Sequence, residues 1–441
     1  MRFTHEQKKA YDTIMNTDHN VFLTGGAGSG KSEIIKRVID NSDHPIVLAP
    51  TGIAAINVNG ITIHHFLKIK PSQMLINTTP HYIPKELEYA TKIIVDEISM
   101  CRSDLFNWLA IAIHRAEVLY NKKIQLIVVG DFCQLPPVVK KNERVLFKAG
   151  EEYAFMSEYW KEMDFDIQVL HQIMRQKTDT EFITALNNIR CGKTKGIEYI
   201  NQNANKIPSD DCVYLASLNR QVDKINHDEA LKLKSSEQYT FTAQVSGRIN
   251  AKNMPVDEVL TLAVGERIIV TANDTENRQY QNGTTGTIID IDDYHREISI
   301  EGDNGNDFII RPHEWEVYDY ELKQVASYET IKKDGKEVRK RVMKTKPDKI
   351  KIGGFVQFPI KLGYAITVHK SQGQTYDRVN LSPAGWTSGL LYVSLSRVKT
   401  VNGLYLKSPI KKHMVNLDPI VRDFYAKFDD DFRVKMINAW D

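Results

Sequence analysis

Along residues 20–180, short apolar runs alternate with longer stretches whose apolar residues recur every three or four positions. "NVFLTG", "PIVLAP", "KIIVDE" and "IQLIVVG" are too short for helices, and each predicts a buried strand. After the first of them, Ile34, Ile35, Val38 and Ile39 fall at helical spacing. Such alternation predicts an α/β fold, a parallel sheet wrapped by helices. The pattern changes near residue 240. "LTLAVGERIIVTAND", "TTGTIIDID", "REISIEG" and "DFIIRP" are short β-prone runs separated by turn residues, which predicts a small antiparallel β-barrel over 240–356. The first pattern resumes at "PIKLGYAITVHKSQG", so the barrel reads as an insertion. Residues 67–91 hold three prolines and little strand signal, and read as a second, smaller insertion.

The chemistry gathers where the strands end, as expected for ligands at the carboxyl edge of an open sheet. "GGAGSGKSEII" follows the first strand and places four glycines in six positions. Gly25, Gly30, Lys31 and Ser32 fit the pattern G-x-x-x-x-G-K-[ST] in its required strand–loop–helix context. The backbone N–H groups of Gly25, Gly26, Ala27, Gly28, Ser29 and Gly30 can wrap phosphate oxygens, and the helix N-terminus adds partial positive charge. Lys31 is expected to reach the outer phosphates of ATP, and Ser32 to ligate Mg²⁺. "KIIVDEIS" ends a second strand in Asp96, a second candidate Mg²⁺ ligand, and Glu97, a candidate base for the attacking water. "IVVGDFCQLPPV" ends a third, with Gly130, Asp131 and Gln134 expected to face the phosphates.

Other strand ends suit a nucleic-acid backbone. "APTGIAAINVNGITIHHF" offers Thr51, Gly52, Asn57, Thr62, His64 and His65, small polar groups of the kind that contact phosphate and sugar. The two histidines are equally consistent with helix residues whose side chains are satisfied locally. "YAITVHKSQGQT" adds Thr367, His369, Lys370 and Ser371. Arg175 in "LHQIMRQ" and Arg397 in "LYVSLSRVKT" are candidates to stabilise transition-state charge on a γ-phosphate.

Composition narrows this further. The chain has 441 residues, 42% hydrophobic and 26% charged, in the range of globular proteins with real cores. The net charge is only +2, so any nucleic-acid site must be local. Residues 332–351 carry ten Lys/Arg against three Asp/Glu, a local +7 that leaves −5 for the rest. The four cysteines lack C-x-x-C spacing, which points to reduced thiols in a cytosol-like compartment and away from zinc. The N-terminus is polar from its start, unlike a signal peptide, and no apolar run approaches the ~20 residues of a membrane helix.

"GGAGSGKS", "APTGIAA", "VDEIS", "GDFCQLPPV", "LHQIMRQ", "ITVHKSQGQT" and "YVSLSR" resemble, in order, the motifs of superfamily-one helicases. The resemblance is closest to the petite-integration-frequency (Pif) family, relatives of RecD that move 5′ to 3′ on single-stranded DNA. "SDLFNWLAIAIHRA" resembles that family's signature helix, and "NGTTGTI" a hairpin of its accessory barrel. The resemblance implies two RecA-like lobes with ATP between them and DNA across their top. It implies that Gln7 contacts adenine and that Arg175 and Arg397 are arginine fingers. The expected organisation is a first lobe at 1–66 and 92–178, a wedge at 67–91, a second lobe at 179–239 and 357–441, and a barrel of the Src-homology type at 240–356. The expected protein is a monomeric, ATP- and Mg²⁺-dependent DNA helicase. It would act on single-stranded and forked or tailed duplex DNA in replication, recombination or repair, with no membrane partner. The alternatives are an ATP-gated nucleic-acid clamp, against which Glu97, Gln134 and the two arginines argue, and an RNA helicase, which the residues alone leave open because phosphate contacts do not distinguish the sugars.

Overall fold

Six parallel strands form the first sheet, in the spatial order Ile61–Thr62, Ile46–Ala49, Lys92–Val95, Gln125–Gly130, Val21–Gly25, Asp166–Leu170. The computed structural model describes residues 3–69, 75, 78–139, 143–144, 147, 150–173, 179–207, 212–233, 237–247, 249, 254–274, 277, 279–280, 282–303, 305–333, 336–369, 371–372 and 374–437. The four runs read as buried strands occupy the centre of this sheet. The half-exposed edge strand Asp166–Leu170 has no continuous apolar signature. Helix Lys31–Asn41 packs Ile34, Ile35 and Val38 on one face of the sheet. Helix Ser103–Tyr120, from "SDLFNWLAIAIHRA", is buried over most of its length on the other. The described part of 67–91 packs beneath that helix. The Trp108 indole N–H donates to the Leu75 carbonyl at 3.2 Å, and Arg115 donates to the Pro80 carbonyl at 2.6 Å.

A second parallel sheet orders Ala365–Thr367, Val213–Ala216, Val379–Leu381 and Leu404–Leu406. Between its strands in sequence lies an antiparallel unit. Five strands run in the order Asp307–Ile310, Glu297–Gly302, Thr285–Asp292, Arg267–Val270, Ile360–Leu362, and Gln238–Thr242 pairs with Val259–Ala263. Leu262, Ile268, Val270, Ile288, Ile298, Ile300 and Phe358 fill its interior. Its outermost strands therefore start and end a few residues outside 240–356. From it extends a hairpin, His313–Lys333 paired with Lys336–Gln357 in register to Lys333↔Lys336, with one shift at Val317/Tyr318. At ~3.3 Å per residue, its 21-residue strand reaches on the order of 65 Å. The described residues of the basic stretch 332–351 end the outgoing strand and make most of the returning one.

The end of the chain departs from the expectation of a second lobe running to 441. Helices Pro419–Tyr425 and Asp430–Ile437 return to the first lobe, where Val421, Tyr425 and Phe432 join the core of Phe22, Phe132 and Trp160. Phe424 stacks on Phe155 with ring centroids 4.1 Å apart. The cause is composition: "PIVRDFYAKFDDDF" carries aromatic residues at helical spacing, and an aromatic face on the first lobe receives them. Among the described residues no helix is long and apolar enough to cross a membrane. The four cysteines are buried thiols.

Candidate active site

The loop after Val21–Gly25 takes a left-handed turn at its end that favours glycine. Gly30 has φ +88°, and a Cβ there would lie 2.3 Å from Gln7 Nε2. Gln7 serves two structures. Its Oε1 accepts from Thr4 N at 3.0 Å in a capping box, and its Nε2 donates to the Ser29 carbonyl at 3.0 Å. The residue expected at adenine thus braces the back of the glycine loop. Lys31 Nζ donates to the Gly25 and Gly26 carbonyls at 2.7 and 3.1 Å, folding over the loop's own backbone. Burial holds its pKa below the ordinary lysine value, opposed by the charges of Asp131 and Glu97.

Asp96 and Glu97 follow Lys92–Val95. Asp96 N still donates to the Leu48 carbonyl of the neighbouring strand at 3.0 Å. Glu97 then turns into the left-handed region at φ 51°, a conformation that non-glycine residues adopt mainly where the surroundings enforce it. Burial and the charge of Glu97 push the Asp96 carboxyl up to about 7. Burial also raises Glu97, while Lys31 and Arg397 pull it down. Ser32 and Asp96 line one cavity. A hydroxyl and a carboxylate are hard oxygen donors suited to Mg²⁺, and no group of three or more His, Cys, Asp or Glu among the described residues forms a cage of its own. The donor set therefore fits an ion completed by phosphate oxygens. Ser29 Oγ is buried with no partner among the described residues, as expected of a loop built around a ligand.

The second lobe completes the site. Gln372 Nε2 donates to Glu97 Oε2 at 3.2 Å and to Gln134 Oε1 at 3.4 Å. The Tyr392 hydroxyl accepts from Ala27 N at 2.7 Å. Gly389, at φ +73°, starts the helix that carries Tyr392, and a Cβ there would lie 2.3 Å from the Gln134 carbonyl. Only glycine allows so close an approach at that point. Arg397 is fully buried in its own lobe. Its Nε donates to Val393 O at 2.8 Å, Nη1 to Ser371 O at 3.1 Å, and Nη2 to Ser396 Oγ at 2.8 Å.

Asp131 does not face a phosphate. Arg190 grips it with two hydrogen bonds, and the Tyr425 hydroxyl donates to its Oδ1 at 3.3 Å. Burial would raise its pKa, but the charge and hydrogen bonds of Arg190 hold the carboxyl below its usual range. Gly130 is likewise turned inward, against Ile98. Sequence reading missed Arg190, Tyr392 and Tyr425 as site residues, and it offers Gln372 only as one of the polar residues of "YAITVHKSQGQT".

The DNA candidates divide. Asn57 and Thr367 line one cavity between the two lobes and the barrel. Gly52, Thr62 and His65 line another, with Met254 and Tyr318 opposite. The Thr51 and Thr62 hydroxyls cap short helices, accepting from Ala54 N at 3.3 Å and His65 N at 3.1 Å. His65 Nε2 lies 3.2 Å from Asp319 of the hairpin, which raises its pKa. Burial lowers His64 and His369. Ser371 departs from the expectation: it is fully buried, and its hydroxyl donates to the Val368 carbonyl at 2.8 Å, so it presents nothing to DNA. Arg175 and Lys370 lie outside the described residues.

The profile described as "PIF1-like helicase" matches residues 2–198. A Campylobacter jejuni protein named ATP-dependent DNA helicase Pif1 is 31% identical, with 92% of this chain and 94% of that protein aligned. A Bdellovibrio bacteriovorus protein of the same name is 29% identical, over 96% and 92%. Pif1 from Bacteroides sp. in complex with ADP-AlF4 matches at TM-score 0.80 and 31% identity over 98% of each chain. Bacteroides Pif1 with ADP-AlF3 and ssDNA matches at 0.62 and 32%, again over 98% of each chain.

Proposed function

The chain belongs to the PIF1-like helicase family, and on that premise we propose that it is an ATP-driven DNA helicase whose ATP site lies in the seam between the lobes. The observation that carries this reading is the contact of Gln372 with both Glu97 and Gln134, because it joins the candidate base to the second lobe. ATP would bind on the Gly25–Ser32 loop, with Lys31 leaving the Gly25 and Gly26 carbonyls for the outer phosphates. Mg²⁺ held by Ser32 Oγ and Asp96 would neutralise phosphate charge. Glu97 takes the proton of the attacking water, and Gln134 senses the γ-phosphate. Arg397, and Arg175 with it, meets charge that develops in the transition state. Closing and reopening the seam alternates the grip of the two lobes on single-stranded DNA. Asn57 and Thr367 are the facing contacts. Gly52, Thr62 and His65 extend the path. Movement is 5′ to 3′, by a monomer, ahead of which forked or tailed duplex is parted. Strand displacement on 5′-tailed and 3′-tailed duplexes, with ATP turnover measured with and without DNA, tests the proposal. Unwinding of the 5′-tailed substrate alone is expected. DNA-stimulated turnover with no displacement of either duplex would identify a clamp.

A further inference from the structure

We infer that Gln372 is a second orienter of the attacking water, supplied by the opposite lobe; this rests on the reading of Glu97 as the base. An ionised carboxylate only accepts, so the amide of Gln372 must turn its Nε2 toward Glu97. Its donation to Glu97 Oε2 and Gln134 Oε1 fixes that orientation. Gln372 Oε1 is then a buried acceptor with no donor among the described residues. Buried amide oxygens are ordinarily satisfied, by protein or by water. Here the unused acceptor sits on the residue that also touches the base and the γ-phosphate sensor.

A hydrolytic water has two protons and one attacking lone pair to place. Glu97 accepts one proton as the water oxygen bonds to phosphorus and the bond from phosphorus to the ADP oxygen breaks. The second proton remains on the oxygen that becomes a phosphate hydroxyl. Gln372 Oε1 accepts a hydrogen bond from it, which holds the lone pair toward phosphorus. Gln134, engaged through its Oε1, keeps its Nε2 for the γ-phosphate. Because Gln372 follows the second-lobe strand Ala365–Thr367, this water is fully aligned only while the lobes meet. Hydrolysis is thereby tied to closure at the level of one hydrogen bond.

The test compares Gln372→Met, which keeps the length and removes both polar atoms, with Gln372→Asn, which withdraws the amide by one methylene. Steady-state turnover with saturating single-stranded DNA is measured beside binding of that DNA in the presence of ADP and aluminium fluoride. Both variants are expected to lose kcat by roughly tenfold to a hundredfold, the scale of a misplaced reacting group. KM for ATP and DNA affinity should stay within about twofold, the split expected when an interaction matters only in the transition state. Gln372→Met added to Glu97→Gln should cost little more, since the two act on one water. Wild-type kcat in a folded Gln372→Asn protein overturns the inference, as does a raised KM with kcat unchanged. If Glu97→Gln itself turns over ATP normally, the base assignment fails instead, and the Gln372 variants still report separately.

Discussion

Arg190 holds Asp131 across the lobe seam through a fork, Nε to Oδ2 at 3.0 Å and Nη2 to Oδ1 at 2.9 Å, with both side chains buried. The Tyr425 and Phe432 rings lie 5.2 and 5.8 Å from the guanidinium, so the pair is closed off by the chain's last helices. The same Asp131 carries charge close to Lys31.

Arg190→Met should therefore be the most destabilising single change at the seam. It strands a carboxylate in the interior, which costs about 3–5 kcal/mol, whereas removing both charges is far milder. Denaturant unfolding of Arg190→Met, Asp131→Leu and the double variant checks this. The double variant should be clearly more stable than Arg190→Met.

Lys31→Ala should abolish ATP turnover and unwinding together. Glu97→Gln should retain ATP and DNA binding while hydrolysis stops, because it removes the base and leaves Ser32 and Asp96 in place. Equilibrium binding of a labelled ATP analogue beside phosphate release separates the two variants. Near-wild-type release by Glu97→Gln would remove Glu97 from the role of base.

The His65–Asp319 contact should depend on pH. Hydrogen bonding to Asp319 raises the His65 pKa above its ordinary 6.5. A raised folded-state value means the stabilisation is complete below 6.5 and is lost as pH rises through the higher value. Both side chains are about half exposed, so the effect is local. Histidine-detected titration should give a pKa above 6.5 that falls in Asp319→Asn, and protease cleavage at the hairpin base should increase with pH. His65→Ala should make that cleavage independent of pH.

The basic stretch 332–351, not the hairpin as a whole, concentrates the positive charge of the chain. Replacing Lys332, Lys333, Lys336, Arg339, Lys340 and Arg341 with glutamine should weaken binding to forked DNA and flatten its salt dependence. Each lost phosphate contact contributes ~0.7–0.9 to the slope of log affinity against log salt. ATP turnover without DNA should hardly change. Titrations across salt decide the matter, and an unchanged slope would leave the arm without a nucleic-acid contact.

What the sequence disclosed was local. The glycine loop, the Asp96–Glu97 pair and the Gln134 loop are each written in consecutive residues after an apolar run, where the strand and the polar residues at its end share one window. What it withheld depends on distance along the chain: Tyr392 meets Ala27 over 365 positions, Gln372 meets Glu97 over 275, and Arg190 meets Asp131 over 59. A last-turn arginine ordinarily complements the helix dipole at the surface. The one signal was position. Phe182, Leu186 and Arg190 lie at four-residue steps, which places a charge on the apolar stripe of its helix. Asp131 was misread for the opposite reason: its motif suggests a phosphate, but the structure gives it an arginine. Ser371 looked polar and available in sequence, and its hydroxyl is closed on its own turn.

The return of the last helices to the first lobe sets an order of events during synthesis. Asp166–Leu170 completes the six-stranded sheet, yet Val421, Tyr425 and Phe432, which cover Phe22, Phe132 and Trp160, are made about 250 residues later. At ~5–20 residues per second, that interval lasts on the order of 10–50 s on a ribosome. For that time the half of the molecule carrying Lys31 and Glu97 shows an open aromatic face to the cell. Release of the chain anywhere between 171 and 420 would leave that lobe without the helices that cover Phe22, Phe132 and Trp160.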